Sequence, residues 1–417
     1  MTVSLHESTR SFARIGLLSF GGPAAQIALM HRELVEEKHW LTEAEFLRGL
    51  SFCMLLPGPE AMQLATWVGW KRHGVTGGLI AGLLFVMPGA LVVLALAMIY
   101  AGFGQIPLVQ ALFAGVQAAV VVIVFEALLR VAKRALKGRT HWIIAGAAFA
   151  GLFFLNLPFP VIVLGAGFWG ALTATATAAP PMPAQPGMIT ATLRTALIWA
   201  AIWLLPLVLL GLTEGGILFE IGVFFSKLAV LTFGGAYAVL AWMTQAVVAE
   251  KGWLTLPQMI DGLGLAETTP GPLILVTEFV GFMAAHREGG MLWGIAGAVV
   301  TLWVTFVPCF LWIFAGAPWI DRINAAPRLA GALTGITAAV VGVIANLGLW
   351  FSFHVLFHTV GTVALGPLRL ISPEWTSLDP IALLLAIAAG VMILRLHMGL
   401  PLVLAICAIA SAGLSLI

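Results

Sequence analysis

Two copies of a helix-breaking pattern stand in otherwise apolar sequence: Phe20, Gly21, Gly22 with Pro57, Gly58, Pro59, and Phe233, Gly234, Gly235 with Pro270, Gly271, Pro272. Every member of the second copy follows its counterpart at one constant offset, the separation of Phe20 from Phe233, and Glu37, Lys38, Trp40, Leu41 and Thr42 recur at that offset as Glu250, Lys251, Trp253, Leu254 and Thr255. A glycine pair uncovers the backbone and admits left-handed geometry, so successive amides can turn toward an anion. Pro57 and Pro270 each stop a helix, and a half-helix restarting just beyond would aim its first amides at the same region. Such groups suit the holding of a solute, and repeated breaks in two apolar halves are the sequence mark of a transport site. Close packing of small residues in a membrane is the competing account of the same glycines and prolines.

Dipoles alone are too weak for a buried anion: a helix terminus contributes roughly 0.3–2 kcal/mol, whereas desolvating one charge costs at least several kcal/mol. A cation is therefore expected nearby. Arg14 and Lys227 stand six residues ahead of Phe20 and Phe233, respectively, with snorkelling to the interface as their alternative role. Ser19, Thr232, Thr268, Thr269 and Gln63 offer neutral donors, or bond back to helix carbonyls. Glu60 directly follows the first Pro-Gly-Pro and Glu267 precedes the second by three residues. A carboxylate there would repel an anion until protonated, which would couple proton and anion movement; a salt bridge to Arg14 or Lys227 is the alternative.

The elements that must position these residues belong in a bilayer. The chain is 61% hydrophobic and 9% charged, with mean hydropathy +1.06, more apolar surface than a soluble core would hide. A net charge of +2 argues against nucleic acid. Cys53, Cys309 and Cys407 have neither metal nor disulfide spacing and read as small core residues. His354 and His358 lack an evident third ligand, and no phosphate loop, dinucleotide fingerprint or serine elbow occurs. No enzyme activity and no cofactor or metal are expected. Glu7, Arg10 and Arg14 interrupt any early apolar stretch, so a cleaved signal peptide is not expected.

Spans of about 20 apolar residues are expected near 11–30, 45–69, 75–103, 106–129, 141–156 and 158–176 in a first repeat over 1–176. Residues 177–215 form a linker, rich in Ala and Pro, and an unpaired connecting span near 190–211. The second repeat, 216–417, has spans near 216–244, 257–283, 290–317, 329–350, 378–395 and 398–416. The fold class is an all-α polytopic membrane protein of about 12–13 segments, in which an odd set inverts the second half. Arg130, Lys133, Arg134, Lys137 and Arg139 crowd the loop after the fourth span, whereas the matching loop from Phe351 to Leu378 holds Arg369 as its only Lys or Arg. Conversely, the uncharged connection Ala101–Pro107 corresponds to one with Asp321, Arg322 and Arg328. The positive charge has changed sides, as inversion requires.

Arg14 to Pro23, Glu37 to Thr42, Leu56-Pro-Gly-Pro-Glu60 with Gln63, and Glu267-Thr-Thr-Pro-Gly-Pro272 closely resemble the chromate ion transporter family in its long, two-domain form, over essentially the whole chain. The resemblance implies a multi-pass protein of the bacterial inner membrane that expels chromate and confers resistance, energised by membrane potential or a proton gradient. Sulfate or another oxyanion, or an anion channel, is the rival reading. Chromate is a compact tetrahedral dianion, and the expected site joins Arg14, Ser19, Gly21, Gly22, Pro57, Gly58, Pro59 and Gln63 to Lys227, Thr232, Gly234, Gly235, Thr268, Thr269, Pro270, Gly271 and Pro272, with Glu60 and Glu267 as coupling carboxylates. Partners are the oxyanion and the lipid bilayer, with a homodimer as the candidate assembly.

Overall fold

The computed structural model describes residues 3–174, 187–213, 216–233, 236–366 and 368–415. The protein is mostly helical, and among the described residues five helical runs are long and apolar enough to cross a membrane: Glu60–Phe103, Pro107–Ala135, Met188–Leu212, Leu273–Asn324 and Pro327–Leu356. Shorter apolar helices include Phe159–Thr173, Pro380–Arg395 and Leu400–Leu414. Apolar side chains cover outward faces, as lipid contact requires: Leu197 and Leu212 are 71% and 77% exposed. Most of the expected linker, residues 177–186, lies outside the described residues.

The chain forms two compact units, each drawing on both sequence halves. The first comprises 1–101, 176–236 and 265–329. It opens with α1 (Leu5–Leu18) and α2 (Gly22–His31), separated by the Phe-Gly-Gly segment, and continues through a π turn at Arg32–Glu37 into α3 (Glu43–Met54). Thr42 and Glu45 close a capping box at the start of α3, each accepting from the other's backbone amide (3.3 and 2.9 Å).

After Pro57-Gly58-Pro59 the chain restarts as α4 (Glu60–Phe103), which is helical throughout except at His73 and Gly74, where φ of +61° at the glycine turns it back on itself. Gly69 and Gly77 then face each other so closely that a Cβ on either would collide with the other's carbonyl oxygen. The expected spans 45–69 and 75–103 thus become α3, a break, and two limbs of one bent helix. The unit adds α5 (Met188–Leu212) and α6 (Ile217–Leu231), both packed on α7 (Val276–Gly316). A 3₁₀ turn, Leu273–Leu275, leads into α7, which bends at Gly290 (φ +75°), with Gly281 against Gly297.

The second unit comprises 102–175, 237–264 and 330–417. Its long helices Pro107–Ala135 and Pro327–Leu356 pack through small residues: Gly115 lies against the Cys407 carbonyl, Gly335 against that of Ala166 and Gly342 against that of Ala145. A second π turn, Ala246–Glu250, precedes Leu256–Thr268, whose start is closed by Thr255 and Gln258, the repeat counterparts of Thr42 and Glu45. Left-handed backbone also recurs at the shared offset, at His39 (φ +51°) and Gly252 (φ +63°).

Among the described residues the expected all-α pattern is interrupted within the 351–378 loop by antiparallel strands β1 (Val360–Leu365) and β2 (Leu368–Pro373). Thr and Val in β1 favour strand, and Gly366 (φ +63°) supplies the tight turn.

Candidate functional site

The expected site residues that are described all fall in the first unit; Gly234 and Gly235 lie outside the described residues. The two Pro-Gly-Pro breaks are held by a reciprocal exchange. Gly58 N–H donates to the Thr232 carbonyl and Gly271 N–H donates to the Ser19 carbonyl, both at 2.8 Å. Thr232 is the repeat counterpart of Ser19, and Gly271 that of Gly58, so each half's break is closed by the residue just before the other half's Phe-Gly-Gly. Both glycines have left-handed backbone, φ +117° at Gly58 and +90° at Gly271, a conformation that side chains disfavour.

Ser19 and Thr232 can present their carbonyls because the helices before them have ended, at Leu18 and Leu231. Both residues are buried, and their hydroxyls donate to the Ile15 and Leu228 carbonyls, each at 2.6 Å. The Thr268 and Thr269 hydroxyls likewise donate to the Leu265 (2.7 Å) and Ala266 (3.0 Å) carbonyls. In this conformation the hydroxyl protons cap helix ends. Gly21 and Gly22 are left-handed at φ +86° and +77°, and α2 begins there with Pro23 in its first turn. The first amides of α2 lack intrahelical acceptors, and a Cβ on Gly22 would meet open space.

Two buried carboxamides brace the breaks. Gln63 Nε2 donates to the Pro57 carbonyl (2.6 Å), and Gln26 Nε2 donates to the Gly271 carbonyl (2.7 Å) and the Ser19 carbonyl (3.2 Å). Sequence reasoning singled out Gln63 and missed Gln26; the available signal was a carboxamide seven residues after Ser19 in the apolar stretch Ala24-Ala25-Gln26-Ile27. The equivalent of Gln26 in the second half is Val239, so both braces come from the first half. Cys309 was also missed as a neighbour: a Cβ on Gly58 would lie 2.9 Å from its Sγ.

Arg14 pairs with Glu33 (3.3 Å), and the carboxylate is buried while the guanidinium side is 57% exposed. The repeat counterpart of Glu33 is Ala246, so Lys227, exposed on α6, has no equivalent of that pair. Glu60 opens α4, where the helix dipole favours a carboxylate, and Glu267 is buried in the last turn of Leu256–Thr268. Beyond the expected set, Glu278 on the first limb of α7 is 1% exposed, and neither carboxylate oxygen has a hydrogen-bond partner among the described residues.

Mostly helical structure with five long apolar helices among the described residues defines a polytopic α-helical membrane protein. The chain belongs to the Chromate transporter family, whose model matches residues 7–171 and 219–413. It is 33% identical to the "Chromate transport protein" of Cupriavidus metallidurans over 82% of this chain and 81% of the relative. It is 34% identical to the "Chromate transport protein" of Pseudomonas aeruginosa (80% and 77% covered) and 30% identical to the "Probable chromate transport protein" of Synechococcus elongatus (93% and 95%). No solved structure matches the chain.

Proposed function

We propose that the protein is a secondary active transporter that exports chromate across the bacterial inner membrane, driven by the membrane potential or a proton gradient, and thereby confers chromate resistance. The observation that carries this reading is the reciprocal Gly58–Thr232 and Gly271–Ser19 pair in a chain of this family. It keeps non-helical backbone in the interior of an apolar unit, where such backbone is tolerated if it is bonded within protein or lines a solute path.

The oxyanion would lie near the glycine pairs and the two breaks, with the first-turn amides of α2 as donors and Arg14 and Lys227 supplying charge. The two halves, 1–176 and 216–417, act as inverted repeats that rock about this point, consistent with the swapped loop charges. Glu60 and Glu267 stand at the two breaks as carboxylates whose protonation would relieve repulsion of a dianion. A homodimer is the proposed assembly. Sulfate has the same shape and charge, and its exclusion would rest on contacts finer than those of size.

The test is chromate uptake into inverted membrane vesicles, with and without an imposed proton gradient and with excess sulfate. Gradient-driven accumulation that sulfate barely inhibits is the expected result. Flux that only equilibrates would indicate a channel, and full block by sulfate a general oxyanion carrier.

A further inference from the structure

Glu278 is the one carboxylate among the described residues whose oxygens are buried without a hydrogen-bond partner. Other carboxylates of the same unit are engaged: Glu33 pairs with Arg14, and Glu60, Glu220 and Glu267 each have an interaction of their own. Glu278 lies on the first limb of α7, just past the 3₁₀ turn that lifts the chain from the Pro272 break. That limb packs on the second limb of α7, where Gly281 meets Gly297 and Thr301, and on the second limb of α4, where Phe279 meets the edge of Tyr100 at 5.3 Å.

The ionisable groups on these elements are few. The second limb of α4 carries Tyr100 and the second limb of α7 carries Cys309, while His286, Arg287 and Glu288 lie at the far end of Glu278's own limb. On the helices that pack on α7, α6 carries Glu220 and Lys227, and α5 carries Arg194. None of them hydrogen-bonds to Glu278.

Comparison of the two halves separates packing from charge. The close glycines Gly69 and Gly281 each face a partner across a bend, one residue out of the offset shared by the breaks, and three residues before them stand Thr66 and Glu278; at the strict offset Glu278 corresponds to the buried Ala65. Thr66 bonds its hydroxyl back to the Met62 carbonyl (3.0 Å) and satisfies the same buried place without a charge. The fold therefore does not need a carboxylate there. An ionised carboxylate without partners is costly in such surroundings, and binding one proton removes that cost.

We infer that Glu278 is the residue that carries the coupling proton, taking one proton from water on one face of the membrane and releasing it to water on the other as the oxyanion moves oppositely. This deepens the transport reading and rests on it. It assigns the proton to a group outside the expected pair Glu60 and Glu267.

The test uses the full chain in proteoliposomes, comparing wild type with Glu278→Gln and Glu278→Asp in two assays: chromate–chromate exchange without a gradient, and accumulation under a pH gradient. The expected result for Glu278→Gln is retained exchange that no longer varies with pH, with internal chromate never exceeding external; Glu278→Asp accumulates with a displaced pH dependence. Accumulation by Glu278→Gln equal to wild type overturns the inference alone. Loss of exchange in both variants also overturns it, in favour of a packing role. If wild type moves no chromate in either assay, the transport reading falls and the inference falls with it.

Discussion

At the scale of single residues, Arg14 and Glu33 form a pair whose two members differ in exposure, and that difference sets what a substitution does. Truncating one partner of a buried pair costs about 3–5 kcal/mol, and the solvent around Arg14 reduces this to about 1–3 kcal/mol. Arg14→Gln is expected to abolish transport while lowering the melting temperature in detergent. Adding Glu33→Gln should restore the melting temperature but not transport; recovery of both would reduce Arg14 to a structural counter-ion. His31 gives a pH signature. Its Nε2 contacts Glu43 (2.6 Å) and its Nδ1 contacts Glu36 (3.0 Å), and the bond to Glu43, with Glu36 adding to it, holds the imidazolium above its ordinary 6.5. The folded form binds the proton more tightly, so this contribution is complete below about pH 6.5 and is lost as pH rises through the raised value. His31→Gln should flatten the alkaline decline of the melting temperature, and an unchanged decline would show that the cluster contributes nothing. Arg14 was legible as a candidate from its spacing to Phe20, but its partner was not. Glu33 is brought to it by the turn at the end of α2, which no local pattern announces.

At the scale of elements, two glycines separate backbone conformation from steric room. A Cβ on Gly89, on the second limb of α4, would run into the Pro270 carbonyl oxygen, which belongs to the second break. Gly22 has left-handed φ but open space around it. Gly22→Ala should cost about 1–2 kcal/mol through backbone strain alone, whereas Gly89→Ala must displace the break and should cost more, with loss of transport. Thermal unfolding in detergent and chromate flux measure the two effects; equal losses would show that the contact with Pro270 is not rigid. Pro57-Gly58-Pro59 falls between the end of α3 and the start of α4, and the approximate limits of α4's second limb were legible, because Gly and Pro act locally. The acceptors of Gly58 and Gly271 were not, since they lie in the opposite sequence half and depend on tertiary placement. Pro88-Gly89 has a counterpart in Pro308-Cys309, which falls beyond the position that the offset of the breaks would give it, a second register that the first concealed.

At the scale of the whole molecule, composition was enough to mark a multi-pass membrane protein, while the doubled motifs pointed to sequence halves that do not coincide with the compact units. The β1–β2 hairpin was missed because short strands in a long loop carry little periodic signal beside long apolar runs. The compact units were also not legible, since each collects segments from both halves, and sequence similarity between copies says nothing about which copy a segment packs against. The crossed bonds between Gly58 and Thr232, and between Gly271 and Ser19, have an evolutionary consequence. Neither duplicate can drift alone: a change that moves one break also removes an acceptor or donor from its sibling, so selection acts on the two copies as a single inherited unit.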